Sequence, residues 1–480
     1  MEQQKISYID MVINKKVNYD ESIDAIVPDL YPDIAKIIGV TATAYVKDAT
    51  VQNDRILISG DLKCDVCYIP EGELAPVIMK VSMSFAHIEQ ATIENLTVNC
   101  KIELNKIEAR IINPRKVSLL ANVCIHTKAF TDAKMSITQF ENDGYEILNH
   151  EETVNLIDSV NVQEFLLTDN VEFKAILTND YEIYGIKPKI VINDTKILKN
   201  KLMIRGNVEF SCALMEEFEI NDIVASSPFS QILDININDE TLDTDIDVNI
   251  KSFDIENVTG AEFSYTLSVK TCITQTKIEK MPIVLDIYDT TSEILVNSTK
   301  YSLLDTPKYE CEKCDFNVAI ATDNIVDAIL HTECQLYTKL SENSLLDCYI
   351  HLIGIYKSGK DYYDFETDYA FLNAQEYSDI CFENVEITKN LSGDINLKIA
   401  VDVHKYKDER INIEIVETVE RGVSHEKNGN SIILKYISSK TELWEIAKQY
   451  NTTMLDIIAS NGLEGDVKIV EDTMLLIPVK

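Results

Sequence analysis

With 480 residues, 45% of them apolar, the chain is long enough for about three domains and too rich in core-forming side chains to be disordered. Its 80 acidic against 44 basic residues leave a net charge of −36, which repels phosphate backbones and anionic headgroups and so excludes nucleic acid and bare membrane as natural partners. Met1 to Lys16 lacks the apolar stretch of an export signal, and the longest apolar runs, such as Met474 to Val479, fall far short of the roughly 20 residues that cross a bilayer, so an unexported chain with no direct membrane insertion is expected.

In chain order, the first signal is Tyr31 to Ile38, where Pro32, apolar residues at helical spacing and a following Gly39 predict a short capping helix. Residues 42–46, 55–69, 76–87, 97–110 and 116–130 then alternate apolar and polar side chains with period two, the pattern of half-buried antiparallel strands. Cys64 and Cys67 stand three apart on one such strand, so they point to opposite faces and cannot share a metal.

The pattern then repeats. Ile58-Ser59-Gly60-Asp61-Leu62 can be laid on Ile204-Arg205-Gly206-Asn207-Val208, about 146 residues later, and Phe85 with Ile88 on Phe229 with Ile232. A more worn third copy starts near residue 300, with Leu346 to Tyr356 as its central strand and Ile395 to Val403 as its last. Cys311-Glu312-Lys313-Cys314 falls in a more loop-like stretch, but no second pair follows at finger-like spacing, so structural thiols rather than zinc are expected. Eleven cysteines, an odd number spread thinly, fit a reduced intracellular protein.

The fold class expected is mainly β: tandem antiparallel β-sheet repeats over residues 20–135, 160–290 and 300–420, followed by a small βααβ domain over 431–480. Between them Ser424 to Ser431 reads as a polar linker. In the last domain Ile432 to Ile437 is a strand, and Leu443, Ile446, Ala447 and Tyr450 form one helix stripe, with Thr441 placed to cap it and Glu442 at its positive end. A second helix opens at Thr452 or Thr453 and ends at Asn461-Gly462, and Thr473 to Val479 returns as a strand.

The residues Leu443-Trp444-Glu445-Ile446-Ala447 … Asn461-Gly462-Leu463 … Leu475-Leu476-Ile477-Pro478 resemble the LysM family. Asp24 to Asp29, Pro32 to Ile38, Ile58-Ser59-Gly60, Phe85-Ala86-His87 and Asn113-Pro114-Arg115 resemble the SPOCS domain of spore-forming bacteria, and tandem SPOCS-like domains ending in one LysM module are the arrangement of the SipL family of spore morphogenesis proteins. That resemblance implies a scaffold in the mother-cell cytoplasm at the forespore surface, partnered by the coat-basement morphogenetic ATPase and other coat proteins. LysM modules generally hold N-acetylglucosamine glycans in a groove whose first loop reads Gly-Asp-Thr. Lys440-Thr441-Glu442 stands there instead, and side chains replace the glycine's close-approach backbone.

The residues themselves offer little chemistry. Seven histidines are scattered without metal-hydrolase spacing, and no Gly-rich loop ending in Lys-Ser/Thr cradles a triphosphate. With 80 carboxylates, acid pairs discriminate nothing. No catalytic residue, cofactor or metal is therefore expected. The candidate site is a partner-binding surface of Ile432, Lys440, Thr441, Glu442, Leu443, Trp444, Lys448, Asn461 and Gly462. Trp444, one position off the helix stripe, is expected at the boundary of core and water as the anchor, with Ile432 a second anchor and Lys440, Glu442 and Lys448 a polar rim. The rival reading is a glycan-binding wall protein that uses Lys440 to Leu443 and Asn461 to Leu463; a contractile-tail component is a third.

Overall fold

The computed structural model describes residues 2–93, 95–140, 144–173, 181–216, 219–235, 242–259, 262–304, 308–340, 346–374, 379–391, 394–407, 410–425, 431–463 and 469–479. The alternating runs become strands: β1 (Glu2–Ile26), β2 (Ile34–Gln52), β3 (Arg55–Pro70), β4 (Val77–Gln90), β5 (Thr97–Asn113) and β6 (Lys116–Gln139). β2, β3 and β4 form an antiparallel meander, and β1 and β5 flank β6 in a second sheet. Alternate residues of the two sheets, such as Ile58, Leu62 and Val66 against Val117, Leu119 and Val123, close one apolar sandwich.

The same topology recurs twice. In the second unit β7 (Tyr145–Glu172), β8 (Glu182–Leu198), β9 (Lys201–Glu216), β10 (Glu219–Asp234), β11 (Asp243–Thr259) and β12 (Glu262–Asp289) give a β8–β9–β10 meander over a β7–β12–β11 sheet. In the third, β13 (Ser292–Leu304), β14 (Lys308–Ile320), β15 (Ala328–Leu340), β16 (Leu346–Ser358), β17 (Asp361–Ala374), β18 (Asp379–Leu391), β19 (Ile395–Lys407) and β20 (Arg410–Ser424) do the same, with the long outer strands split in two. Each central meander strand carries one glycine directly opposite a phenylalanine: Gly60 and Phe85, Gly206 and Phe229, Gly354 and Phe365.

Beyond each sandwich the first and last strands run on as a two-stranded ribbon. The three ribbons share one core, to which Ile6 and Met135, Leu156 and Ile283, and Leu303 and Ile415 contribute in pairs. At the other end the three meanders meet around Ile38, Cys67, Tyr184, Met215, Ile355 and Tyr362. Each unit touches the other two, and each joint carries a lysine–carboxylate pair: Lys63 with Asp254 at 2.6 Å, Lys106 with Glu366 at 2.6 Å, and Lys389 with Asp222 at 2.5 Å.

Two sequence expectations need correction. Tyr31 to Ile38 is not helical: β2 starts at Ile34, and register shifts at Ile34/Lys36 and Ile37/Gly39 set the buried Ile34 and Ile38 four residues apart, which imitates helical spacing. Among the described residues the only helices lie in the C-terminal module. Cys311 and Cys314 are not in a loop but on β14, where residues three apart face opposite ways: Cys311 is exposed and Cys314 packs towards Cys348 and Phe316. Cys64 and Cys67 do face apart, Cys64 into the first sandwich beside Met83 and Cys67 into the central cluster beside Met215.

Candidate binding site on the C-terminal module

The linker read at 424–431 lies mostly outside the described residues. After it come β21 (Ile432–Ile437), β22 (Thr441–Glu442), α1 (Leu443–Gln449), α2 (Met454–Asn461), β23 (Ile469–Val470) and β24 (Thr473–Pro478). β21 pairs antiparallel with β24, and β22 with β23, so the two loops that flank the expected groove are tied together through Thr441–Val470 and Glu442–Ile469. Thr453 caps α2 by accepting the amide of Asp456 at 2.9 Å, and Gly462, with φ +62°, closes it in the left-handed region. Thr441 does not cap α1. It lies in β22 and donates its hydroxyl to the Ser439 carbonyl, while Glu442 holds the cap position without a side-chain bond.

Trp444 is the main correction. It is 5% exposed, packed with Leu443, Ile446 and Ala447 and covered from outside the module by the end of the second ribbon. Its Nε1–H donates to Asp286 Oδ2 at 2.8 Å, and its ring meets Tyr288 edge to face at 4.9 Å. Lys448 donates to both Asp286 oxygens at 2.7 Å, and the Tyr288 hydroxyl donates to the Thr452 carbonyl at 2.7 Å. Burial, with Glu146 and Asp286 nearby, pushes the Tyr288 phenol well up, so it stays a donor. Charge-assisted bonds of this kind contribute about 1.5–3 kcal/mol each, and an edge-to-face pair about 0.5–1.5 kcal/mol. Trp444 and Lys448 thus clasp the module to the rest of the molecule rather than standing at a free surface.

The remaining predicted residues divide. Leu443 is core; Ile432, Lys440, Glu442 and Gly462 are exposed. Asn461 is occupied: its amide donates to the Ile457 and Leu476 carbonyls and its Oδ1 accepts the Leu476 amide, each at 2.7 Å. What the sequence reading missed is the company of Ile432. Leu434 and Tyr436 share its face of β21, and Leu476 and Met474 stand directly opposite them on β24. Ile432 and Leu434 are each 61% exposed and Tyr436 56%. The signal was present in Ile432-Ile433-Leu434, which is apolar on both strand faces although the helices cover only one.

Elsewhere, two clefts of about 330 and 310 Å³ lie at unit joints, the first beside Thr41, Lys63, Asp65 and Asp254, the second beside Gly39, Glu108, Tyr184 and His331. His351, Glu366 and Asp368 cluster closely enough to suggest a cation site, but the Lys106 ammonium already bonds both carboxylates there.

Tandem β-sandwiches thus end in an appended βααβ module that carries an exposed apolar sheet face. In family comparison, residues 33–112 match the SipL, SPOCS domain model and residues 443–478 match the LysM domain model. The chain thus carries a SPOCS domain of the SipL type, which ties it to sporulation, and a C-terminal LysM domain; both are binding or scaffold families. No curated protein and no solved structure matches.

Proposed function

We propose that this chain is a non-enzymatic scaffold of spore envelope and coat assembly. It works in the mother-cell cytoplasm at the forespore surface and binds the coat-basement morphogenetic ATPase through its LysM domain. The second and third units, over about 160–290 and 300–420, are further SPOCS-type domains that engage other coat proteins. The observation that supports this reading most is the outward face of β21 and β24, where Ile432, Leu434, Tyr436, Met474 and Leu476 form paired apolar rows with no described partner in the chain. Lys440 and Glu442 are exposed and form a polar rim that sets partner choice more than affinity in this reading.

Recovery of the ATPase with tagged protein from sporulating cells tests this. Ile432→Arg, at an exposed position, is expected to abolish recovery while leaving the module folded, and unchanged recovery would count against the surface. Trp444→Glu is expected to abolish it as well, by releasing the clasp on Asp286. The glycan reading rests on the LysM match, but Asn461 and Thr441 spend their polar groups inside the module. No retention on purified peptidoglycan is expected.

A further inference from the structure

The two most exposed large apolar side chains among the described residues occupy the same loop of two different units. Leu30, 96% exposed, stands in the loop 27–33 that joins β1 to β2, and Ile325, 78% exposed, in the equally long loop 321–327 that joins β14 to β15. Each loop is pinned by a buried valine, Val27 or Val326, and ends on an aspartate that bonds the amide opening the next hairpin. Glu71 N–H donates to the Asp33 carbonyl at 2.9 Å, and Gly359 N–H to Asp327 Oδ2 at 2.6 Å. Arg115 fixes the first loop further, donating to the Tyr31 and Val27 carbonyls at 2.7 and 2.9 Å and to Asp33 Oδ1 at 3.0 Å. Both loops stand at the end away from the shared ribbon core, since β1 runs to its loop from Ile6 and the split strand β13–β14 runs to its own from Leu303. Lys36, just inside β2, joins them: it donates to the Tyr362 carbonyl at 3.0 Å, beside the hairpin that Asp327 holds.

We propose that this end face, anchored by Leu30 and Ile325, docks one basic protein whose apolar sockets are rimmed by lysine or arginine. The inference rests on the scaffold reading above and adds to it a second surface, distinct from the LysM sheet face. Charge complementarity sets the class of partner. Asp29, Glu71, Glu73 and Asp323 are exposed in these loops and hairpins against Lys360, and the Arg115 guanidinium is spent within the first loop. A second copy of the chain, at −36, would bring like charge to this acidic end, so self-association is disfavoured. Side chains already held out by bonded loops lose little freedom on docking, which suits them as anchors.

The test places the photo-crosslinking residue p-benzoylphenylalanine at position 30 or at position 325 of the full-length chain in sporulating cells, with adducts identified by mass spectrometry. The same basic protein is expected at both positions. Once purified, it should bind the purified chain with an affinity that falls as salt is raised and that drops at least about thirtyfold with Leu30→Glu or Ile325→Glu, the loss typical of an anchor residue. Both side chains are exposed, so neither change touches the core, and circular dichroism with chemical denaturation checks that the variants stay folded. Different partners at the two positions, an acidic partner, a cross-link to a second copy, no adduct, or binding unchanged in the two variants would overturn the inference. Ile432→Arg should leave the cross-links intact, so failure here is distinct from failure of the LysM surface.

Discussion

At Gly354 a β-carbon would lie 2.3–2.4 Å from the Phe365 ring and 2.5 Å from the His331 carbonyl; at Gly60 the corresponding gaps are 2.4–2.5 Å to Phe85 and 2.0 Å to the Tyr45 carbonyl. Glycine is required because a ring lies across the strand where its side chain would be. Gly60→Ala or Gly354→Ala is expected to destabilise the fold by about 1–3 kcal/mol, read by chemical denaturation. The first two glycine–phenylalanine pairs are legible in the sequence as matched residues; Phe365 is not, because the third copy keeps the alternation but not the matching residues around it. A second residue-scale device is Glu333, buried where the three units meet, which accepts Thr41 Oγ1–H at 2.5 Å and pairs with Lys187. Burial pushes Glu333 and Asp222 up, but Lys187 beside the first, and His331 and Lys389 beside the second, more than offset it, so both lie below their ordinary values of 4.5 and 3.8. Depressed carboxyls contribute stability that is complete above the unfolded values and is lost as pH falls through the folded ones. Denaturation midpoints should thus hold steady above about pH 5 and drop below pH 4, and Glu333→Gln, which strands Lys187, should cost about 3 kcal/mol at pH 7.

Strands were the most legible elements because a period of two survives wherever one sheet face is buried. Where β2 bulges the period of two is lost, and the spacing of Ile34 and Ile38 imitates a helix. The LysM helices were legible from their stripe and from the Gly462 stop, but the burial of Trp444 was not. A helix's own periodicity reports only the core inside its module, while the face carrying Trp444 is completed by Asp286 and Tyr288, more than 150 residues earlier in the chain. Because the chain has one tryptophan, the clasp can be watched directly. Asp286→Ala is expected to shift its emission to the red and to speed proteolysis between residues 424 and 432, with circular dichroism unchanged. An unshifted spectrum would mean that the module stays docked without the carboxylate.

On the scale of the whole molecule, repetition was legible and mutual dependence was not. The ribbon core and the central cluster draw side chains from all three units, so no unit buries its apolar surface alone. Calorimetry of the intact chain should show the three units melting as one transition; three separate transitions would contradict this packing. The joints also do not follow chain order, since Lys106 of the first unit holds Glu366 of the third, 260 residues later. At about 5–20 residues per second, a ribosome delivers that partner roughly 13–52 s after the lysine has emerged. For that interval the nascent first sandwich stands with one flank open, which makes elongation speed a determinant of whether the three-way closure forms within one chain or between neighbouring ones on the same messenger.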